Sequence, residues 1–175
     1  MREKSIELLN KAVADELTAI HQYMYFHFHC DDQGYDLLAA LFRKTAIEEM
    51  MHVERLAERI LFLKGDVAMI PSGKVKTIQE VNEMLATAAA MEQQNILDYN
   101  RWAMECAANA DSVSKTLLES IVVDEERHFD QYDNEGENLK RFGEKYLALQ
   151  SIERSKVRSG GMPMNAGGKP GEGGA

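Results

Sequence analysis

Two copies of Glu-x-x-His, Glu49/His52 and Glu125/His128, and two further glutamates, Glu16 and Glu92, occupy positions where a helical chain should place apolar residues. Each long amphipathic stretch has a core-facing seam that is read at alternating four- and three-residue steps. The first seam is Leu9, Val13, Glu16, Ile20, Tyr23, His27, and the second is Leu38, Phe42, Thr45, Glu49, His52, Leu56. The third is Val81, Leu85, Ala88, Glu92, Asn95, Tyr99, Trp102, Cys106, and the fourth is Leu118, Ile121, Glu125, His128, Tyr132. Leaving one ionised carboxylate unpaired in such a core costs on the order of several kcal/mol, and four like charges compound the cost. No Lys or Arg stands on these seams near the glutamates. The compensating charge must come from bound cations.

The spacing ties the six residues to one place. Glu16 and Glu49 are 33 residues apart, as are Glu92 and Glu125, and the midpoints fall within one tight-turn sequence, Asp31-Asp32-Gln33-Gly34, and at the edge of the other, Asn109-Ala110-Asp111-Ser112. Residues equidistant from the turn of an antiparallel hairpin share a height, so Glu16 should face Glu49 and Glu92 should face Glu125. The set Glu16/Glu49/His52 repeats as Glu92/Glu125/His128 at an offset of 76, which suggests two hairpins related by an approximate twofold. Carboxylate oxygens with one imidazole per metal suit Fe(II), Mn(II) or Zn(II), in the arrangement of dinuclear carboxylate bundles. Four carboxylates and two divalent cations also balance in charge. A lone Glu-x-x-His would read as a solvated helix face; two copies with matched partners do not.

The elements that must position these residues are long helices. The chain has 175 residues, 45% hydrophobic but only 7% aromatic, with three prolines, which is one all-α domain by length and composition. Helices are expected at Ser5 to His29, Tyr35 to Lys64, Thr77 to Asn109 and Ser112 to Phe142, with a short fifth from Glu144 to about Arg154. Gly65 reads as the residue just past the second helix, and Thr77-Ile78-Gln79-Glu80 as a capping box opening the third. The stretch Gly65 to Lys76 between the hairpins is long for a helix connection and, extended, reaches roughly 40 Å, enough to run along the bundle. The expected domain is therefore 1–155, a four-helix bundle with a crossover between its second and third helices. The Gly- and Pro-rich residues 156–175 are expected to form a flexible tail.

A net charge of −9 without a basic block disfavours nucleic acid as a partner and favours cations. The start runs straight into an amphipathic segment, and no apolar run approaches membrane-spanning length, so no membrane role and a cytoplasmic location are expected. Cys30 and Cys106 read as reduced core thiols; they are also 76 residues apart, and a crossover topology would put them at opposite ends of the bundle.

With these motifs assembled, the chain resembles the bacterioferritins. The resemblance rests on Glu16-Leu17-Thr18-Ala19-Ile20-His21-Gln22-Tyr23, Glu48-Glu49-Met50-Met51-His52, Glu58-Arg59-Ile60-Leu61-Phe62-Leu63 and Asp124-Glu125-Glu126-Arg127-His128. It implies a ferritin-like fold and a ferroxidase centre with Glu16, Glu49, His52, Glu92, Glu125 and His128 as ligands of dinuclear non-haem iron, Glu49 and Glu125 bridging. It further implies Fe(II) oxidation by O2 or H2O2, storage of Fe(III) mineral in a twenty-four-subunit shell, and a ferredoxin-like reductant for release. Met50, about 100° around the helix from Glu49, matches the methionine that ligates a haem (b-type or a related iron porphyrin) shared by two subunits of a homodimer. Tyr23 matches a tyrosine beside the irons that can supply an electron. Lys44 and Glu48 depart from a His and Asp inner-surface iron site of some relatives, and Lys44 opposes Fe(II) binding there. His21, His27 and His29 read as packing or surface residues.

Two other functions use similar parts. A rubrerythrin-like peroxidase or a small oxygenase would share the ligands without storage, but the paired Cys-x-x-Cys of a rubredoxin module is missing from this sequence. A Dps-like DNA-protecting shell builds its site between subunits, whereas this chain supplies all six ligands itself.

Overall fold

The computed structural model describes residues 2–149 and Ile152. Four helices account for most of them: α1 Arg2–Asp32, α2 Asp36–Phe62, α3 Val81–Ala108 and α4 Ser112–Phe142. A short helical stretch follows at 144–149, the described part of the expected fifth helix; Ile152 is helical as well. The proposed tail at 156–175 lies outside the described residues.

Helices α1 and α2 form one antiparallel hairpin and α3 and α4 the other. Contacts between the hairpins fix the topology. Cys30 Sγ lies 3.6 Å from Met84 Sδ, Glu16 meets Tyr99, and the Tyr99 hydroxyl lies 3.5 Å from the Ala12 carbonyl, so α3 runs antiparallel to α1. Arg127 reaches Glu48 while Arg59 reaches Asp111, so α4 runs antiparallel to α2. The connection from α2 to α3 therefore traverses the bundle, as the sequence suggests.

That crossover is fastened to one face of α1. Asn10 bonds the Asp66 carbonyl and the Ala68 N–H, the Ala14 carbonyl accepts from Ser72 N–H, Thr18 accepts from Gly73 N–H, and Gln22 pairs with both backbone groups of Lys76. Positions 10, 14, 18 and 22 are one helical turn apart, so a single stripe of α1, three polar side chains and the Ala14 carbonyl, satisfies backbone groups that no sheet or helix would.

The three turns between elements share one device. Gly34, Lys64 and Ala110 all have positive φ (83°, 68° and 58°), and the following N–H groups of Tyr35, Gly65 and Asp111 bond back to Cys30, Ile60 and Cys106. These are Schellman ends. Two expectations change here. The left-handed residue after α2 is Lys64, and Gly65 is one place further on. It is glycine for a different reason: a Cβ there would stand 2.7 Å from Ile6 Cγ2. Likewise α3 begins at Val81 rather than Thr77, and its N-cap Glu80 makes no side-chain cap bond. The backbone before it is held outside the helix by Gln22 on Lys76 and Gln33 on the Gln79 carbonyl, and the capping box does not form.

The core is split along the bundle axis. One apolar cluster gathers Leu9, Val13, Leu56, Ile60, Trp102, Cys106 and Leu118, and the other Phe26, Cys30, Phe42, Met84, Leu85 and Tyr132. Cys30 and Cys106 sit in different clusters, both as free thiols. Between the clusters lies a polar layer.

Candidate metal centre

The polar layer is built by the seam glutamates and histidines. Glu16, Glu49, His52, Glu92, Glu125 and His128 are all buried, none more than 3% exposed. The hairpin geometry sets Glu16 against Glu49 and Glu92 against Glu125, and the antiparallel packing of α1 on α3 and α2 on α4 brings the two pairs together. The i,i+3 step in each Glu-x-x-His places the imidazole on the same face as its glutamate one turn on.

Both imidazoles turn Nδ1 inward. His52 Nδ1 lies 2.8 Å from Glu49, 3.3 Å from Glu125 and 3.4 Å from Glu16. His128 Nδ1 lies 3.0 Å from Glu49, 3.7 Å from Glu92 and 3.9 Å from Glu125. Two overlapping groups of donor atoms result, Glu16/Glu49/His52/Glu125 and Glu49/Glu92/Glu125/His128, with one donor from each residue mutually within 4.8 Å. Glu49 and Glu125 belong to both.

The electrostatics match a cluster that takes up cations. Burial and the like charges of Glu125 and Glu49 push the carboxyls of Glu16 and Glu92 well above the usual range, and burial with Glu49 raises Glu125. Burial also works against ionised Glu49, but His128 and His52 override it and hold that carboxyl at about 2. Burial lowers the basicity of both histidines, yet the surrounding carboxylates outweigh it, lifting His128 to about 11 and His52 further. Every one of these shifts except that of Glu49 favours the protonated form of its group.

Around the six residues stands a ring of hydrogen-bonding residues. The Tyr23 hydroxyl donates to Glu92 Oε1, the Tyr99 hydroxyl donates to Glu16 Oε1 at 3.0 Å, and Asn95 Nδ2 donates to Glu125 Oε2 at 3.0 Å. Outward, His52 Nε2 meets Asp124 at 3.2 Å and His128 Nε2 meets Glu48 at 2.7 Å. Glu48 is thus a support for His128, with Lys44 3.8 Å away. Tyr99, Asn95 and Asp124 carry no role in the sequence reading. The offset of 76 could have found two of them, since it maps Tyr23 onto Tyr99 and Glu48 onto Asp124.

The other candidate residues lie apart. Met50 is on the outside of α2, 54% exposed, near exposed Ile47. His27 Nδ1 bonds the Ala39 carbonyl and the His29 ring packs at a tilt against Tyr25, in keeping with packing roles.

Comparison with known proteins agrees with this architecture. A family model for the ferritin-like domain matches residues 6–142. The bacterioferritin of Desulfovibrio desulfuricans is 42% identical over 147 residues, covering 84% of this chain and 82% of that protein. The chain belongs to the bacterioferritin family. A bacterioferritin of Mycobacterium tuberculosis is 32% identical over 149 residues, 85% of this chain and 94% of that one. In three dimensions the fold matches an X-ray structure of the D. desulfuricans bacterioferritin with a TM-score of 0.85 and 37% identity, covering 99% of this chain and 96% of the other. That structure concerns the diiron site of its protein in different catalytic states. Among the described residues of this bacterioferritin relative, no helix is long and apolar enough to cross a membrane.

Proposed function

We propose that this chain is an iron-storage subunit that oxidises Fe(II) to Fe(III) at the six-residue centre with O2 or peroxide and keeps the product as mineral inside a hollow twenty-four-subunit shell in the cytoplasm. The observation that carries the reading is the set of buried donors facing the centre. Glu16 Oε2, both oxygens of Glu49, His52 Nδ1, Glu92 Oε2, Glu125 Oε1 and His128 Nδ1 face one another and find no hydrogen-bond partner outside the six residues. Buried polar atoms normally find partners in the surrounding protein, and so many turned only toward one another in one layer fit metal ligation. Glu16 and His52 would hold one Fe(II) and Glu92 and His128 the other, with Glu49 and Glu125 common to both. Two adjacent Fe(II) ions would supply the two electrons that reduce O2 to the level of peroxide.

The remaining work falls to the chain's own side chains. Apolar clusters on both sides exclude bulk water, the carboxylates behind His52 and His128 keep Nε2 protonated and Nδ1 free to ligate, and Tyr99 and Asn95 orient Glu16 and Glu125. Tyr23, hydrogen-bonded to Glu92, is assigned as an accessory electron donor. Iron release would draw on a ferredoxin-like reductant. Met50 offers an exposed thioether, a soft ligand suited to the iron of a b-type or related haem shared with a second copy across a twofold.

Aerobic addition of excess Fe(II) to metal-free protein, followed by sizing and iron analysis, tests the storage reading. A shell-sized particle holding far more than two irons per chain is expected; a small oligomer stopping at two irons would instead mark a rubrerythrin-like oxidase or peroxidase. For haem, the Soret band of the parent should vanish in Met50→Leu, and a parent grown with haem that shows no such band sinks that assignment.

A further inference from the structure

With Nδ1 of each imidazole turned inward, the outward nitrogens are braced across the bundle. Asp124 of α4 holds His52 of α2, and Glu48 of α2 holds His128 of α4. One guanidinium joins the two braces: Arg127 donates from Nη1 to Glu48 Oε2 at 3.2 Å and from Nη2 to Asp124 Oδ1 at 3.0 Å. An unbroken chain of contacts thus runs His52, Asp124, Arg127, Glu48, His128. Each carboxylate has a second cation nearby, Lys44 3.8 Å from Glu48 and Arg55 4.0 Å from Asp124, but neither of these reaches both.

We propose that Arg127 is a positioning residue that couples the two halves of the centre, fixing the orientation of His52 and His128 together through Glu48 and Asp124 so that two metal ions are taken up as a unit. The proposal rests on reading the six buried residues as a dinuclear site. A carboxylate accepting the outer N–H of a ligating histidine sets both its tautomer and its ring rotation, and losing such a partner typically weakens metal affinity about 10–100-fold. A planar guanidinium fork also holds its two acceptors at a fixed separation, whereas an ammonium on a flexible stem acts as a point charge. The competing description is an ordinary half-exposed ion pair, which would contribute little to anything.

Co(II) is the probe, titrated anaerobically into full-length metal-free protein and followed by calorimetry and visible absorption. The parent should take up two Co(II) per chain in one steep isotherm. Arg127→Gln should weaken both binding steps by about tenfold or more and separate them, with altered ligand-field bands, while helical circular dichroism and the melting temperature of the metal-free protein stay near the parent's. Arg127→Lys should not restore the steep isotherm. An Arg127→Gln isotherm that superimposes on the parent's overturns the proposal, as does weakening of only one step or full rescue by lysine. Should Arg127→Gln fail to fold, the single variant Glu48→Gln takes its place: it removes the partner of His128 alone, so weakening of both steps supports the coupling, and weakening of one step only or parental uptake overturns it. A parent that binds fewer than two Co(II) removes the dinuclear reading itself, and the coupling falls with it.

Discussion

The α1/α2 hairpin and the α3/α4 hairpin carry the same set of two glutamates and a histidine at an offset of 76, yet they differ at most other matched positions. Glu16, Glu49 and His52 recur as Glu92, Glu125 and His128, and the agreement extends to Tyr23 with Tyr99 and Glu48 with Asp124. Where the second hairpin has Asn95 on Glu125, the first has Ala19; where the second has bridging Arg127, the first has Met51; and exposed Met50 matches Glu126. The atoms facing the centre are duplicated across it, so each side offers the same donor types. The residues one step out follow local needs, so each half has its own supports and its own outer surface.

The strongest way to break the comparison is at the two shared carboxylates. Glu49→Gln and Glu125→Gln should each abolish paired metal uptake and slow initial Fe(II) oxidation by more than about 100-fold, above the cost of losing an outer partner. Stopped-flow absorbance checks this, and near-normal rates in one variant alone would show that the halves are not equivalent.

Protons come next. The histidines are held above their ordinary range, His128 at about 11, and Glu16 and Glu92 are raised, so the metal-free centre carries protons that a divalent cation must displace. Anaerobic Zn(II) binding near neutral pH should release more than one proton per chain, measurable by pH-stat, and affinity should fall as pH falls, about tenfold per unit for each proton displaced. The sign for folding follows from the same shifts. A raised His128 contributes stability fully present below its ordinary value of 6.5 and lost as pH rises through about 11. Glu16 and Glu92, raised too, act in the same direction. Urea melts of the metal-free protein should therefore weaken from neutral toward alkaline pH.

The tyrosine pair sharpens the comparison. Tyr99→Phe leaves a buried Glu16 oxygen without its donor and should cost about 1–3 kcal/mol in chemical denaturation, with Tyr23→Phe costing a similar amount through Glu92. Only Tyr23→Phe should also alter the oxidation time course; an equal kinetic effect from both would make the two sides functionally alike. The smallest effect concerns Gly136, the counterpart of buried Ile60. A methyl there meets nothing within 4 Å, so Gly136→Ala should stabilise α4 by about 0.5–1 kcal/mol, whereas Gly65→Ala, driven into Ile6, should destabilise. Thermal melts separate the two.

Seam position and hairpin spacing made the six central residues and the crossover legible, because depth in a helix bundle follows from periodicity, and height follows from distance to the turn. What periodicity does not carry is which helices meet across the bundle. Tyr99 on Glu16 and Asp124 on His52 are contacts between elements far apart in sequence, and they become readable only once α1 is known to pack on α3 and α2 on α4. The local signals at 65 and 77–80 misled for a related reason. Ile6 and Gln22, both on α1, decide what those positions do, and no window around them contains α1.

The crossover bound along α1 also leaves a signature in time. Its amides at Ala68, Ser72, Gly73 and Lys76 are each tied to α1, so their hydrogens should exchange with solvent only when the strap lifts away. Four amides scattered through a segment without helix or strand should then exchange at one common slow rate, reporting the opening of the joint that holds the two hairpins in register.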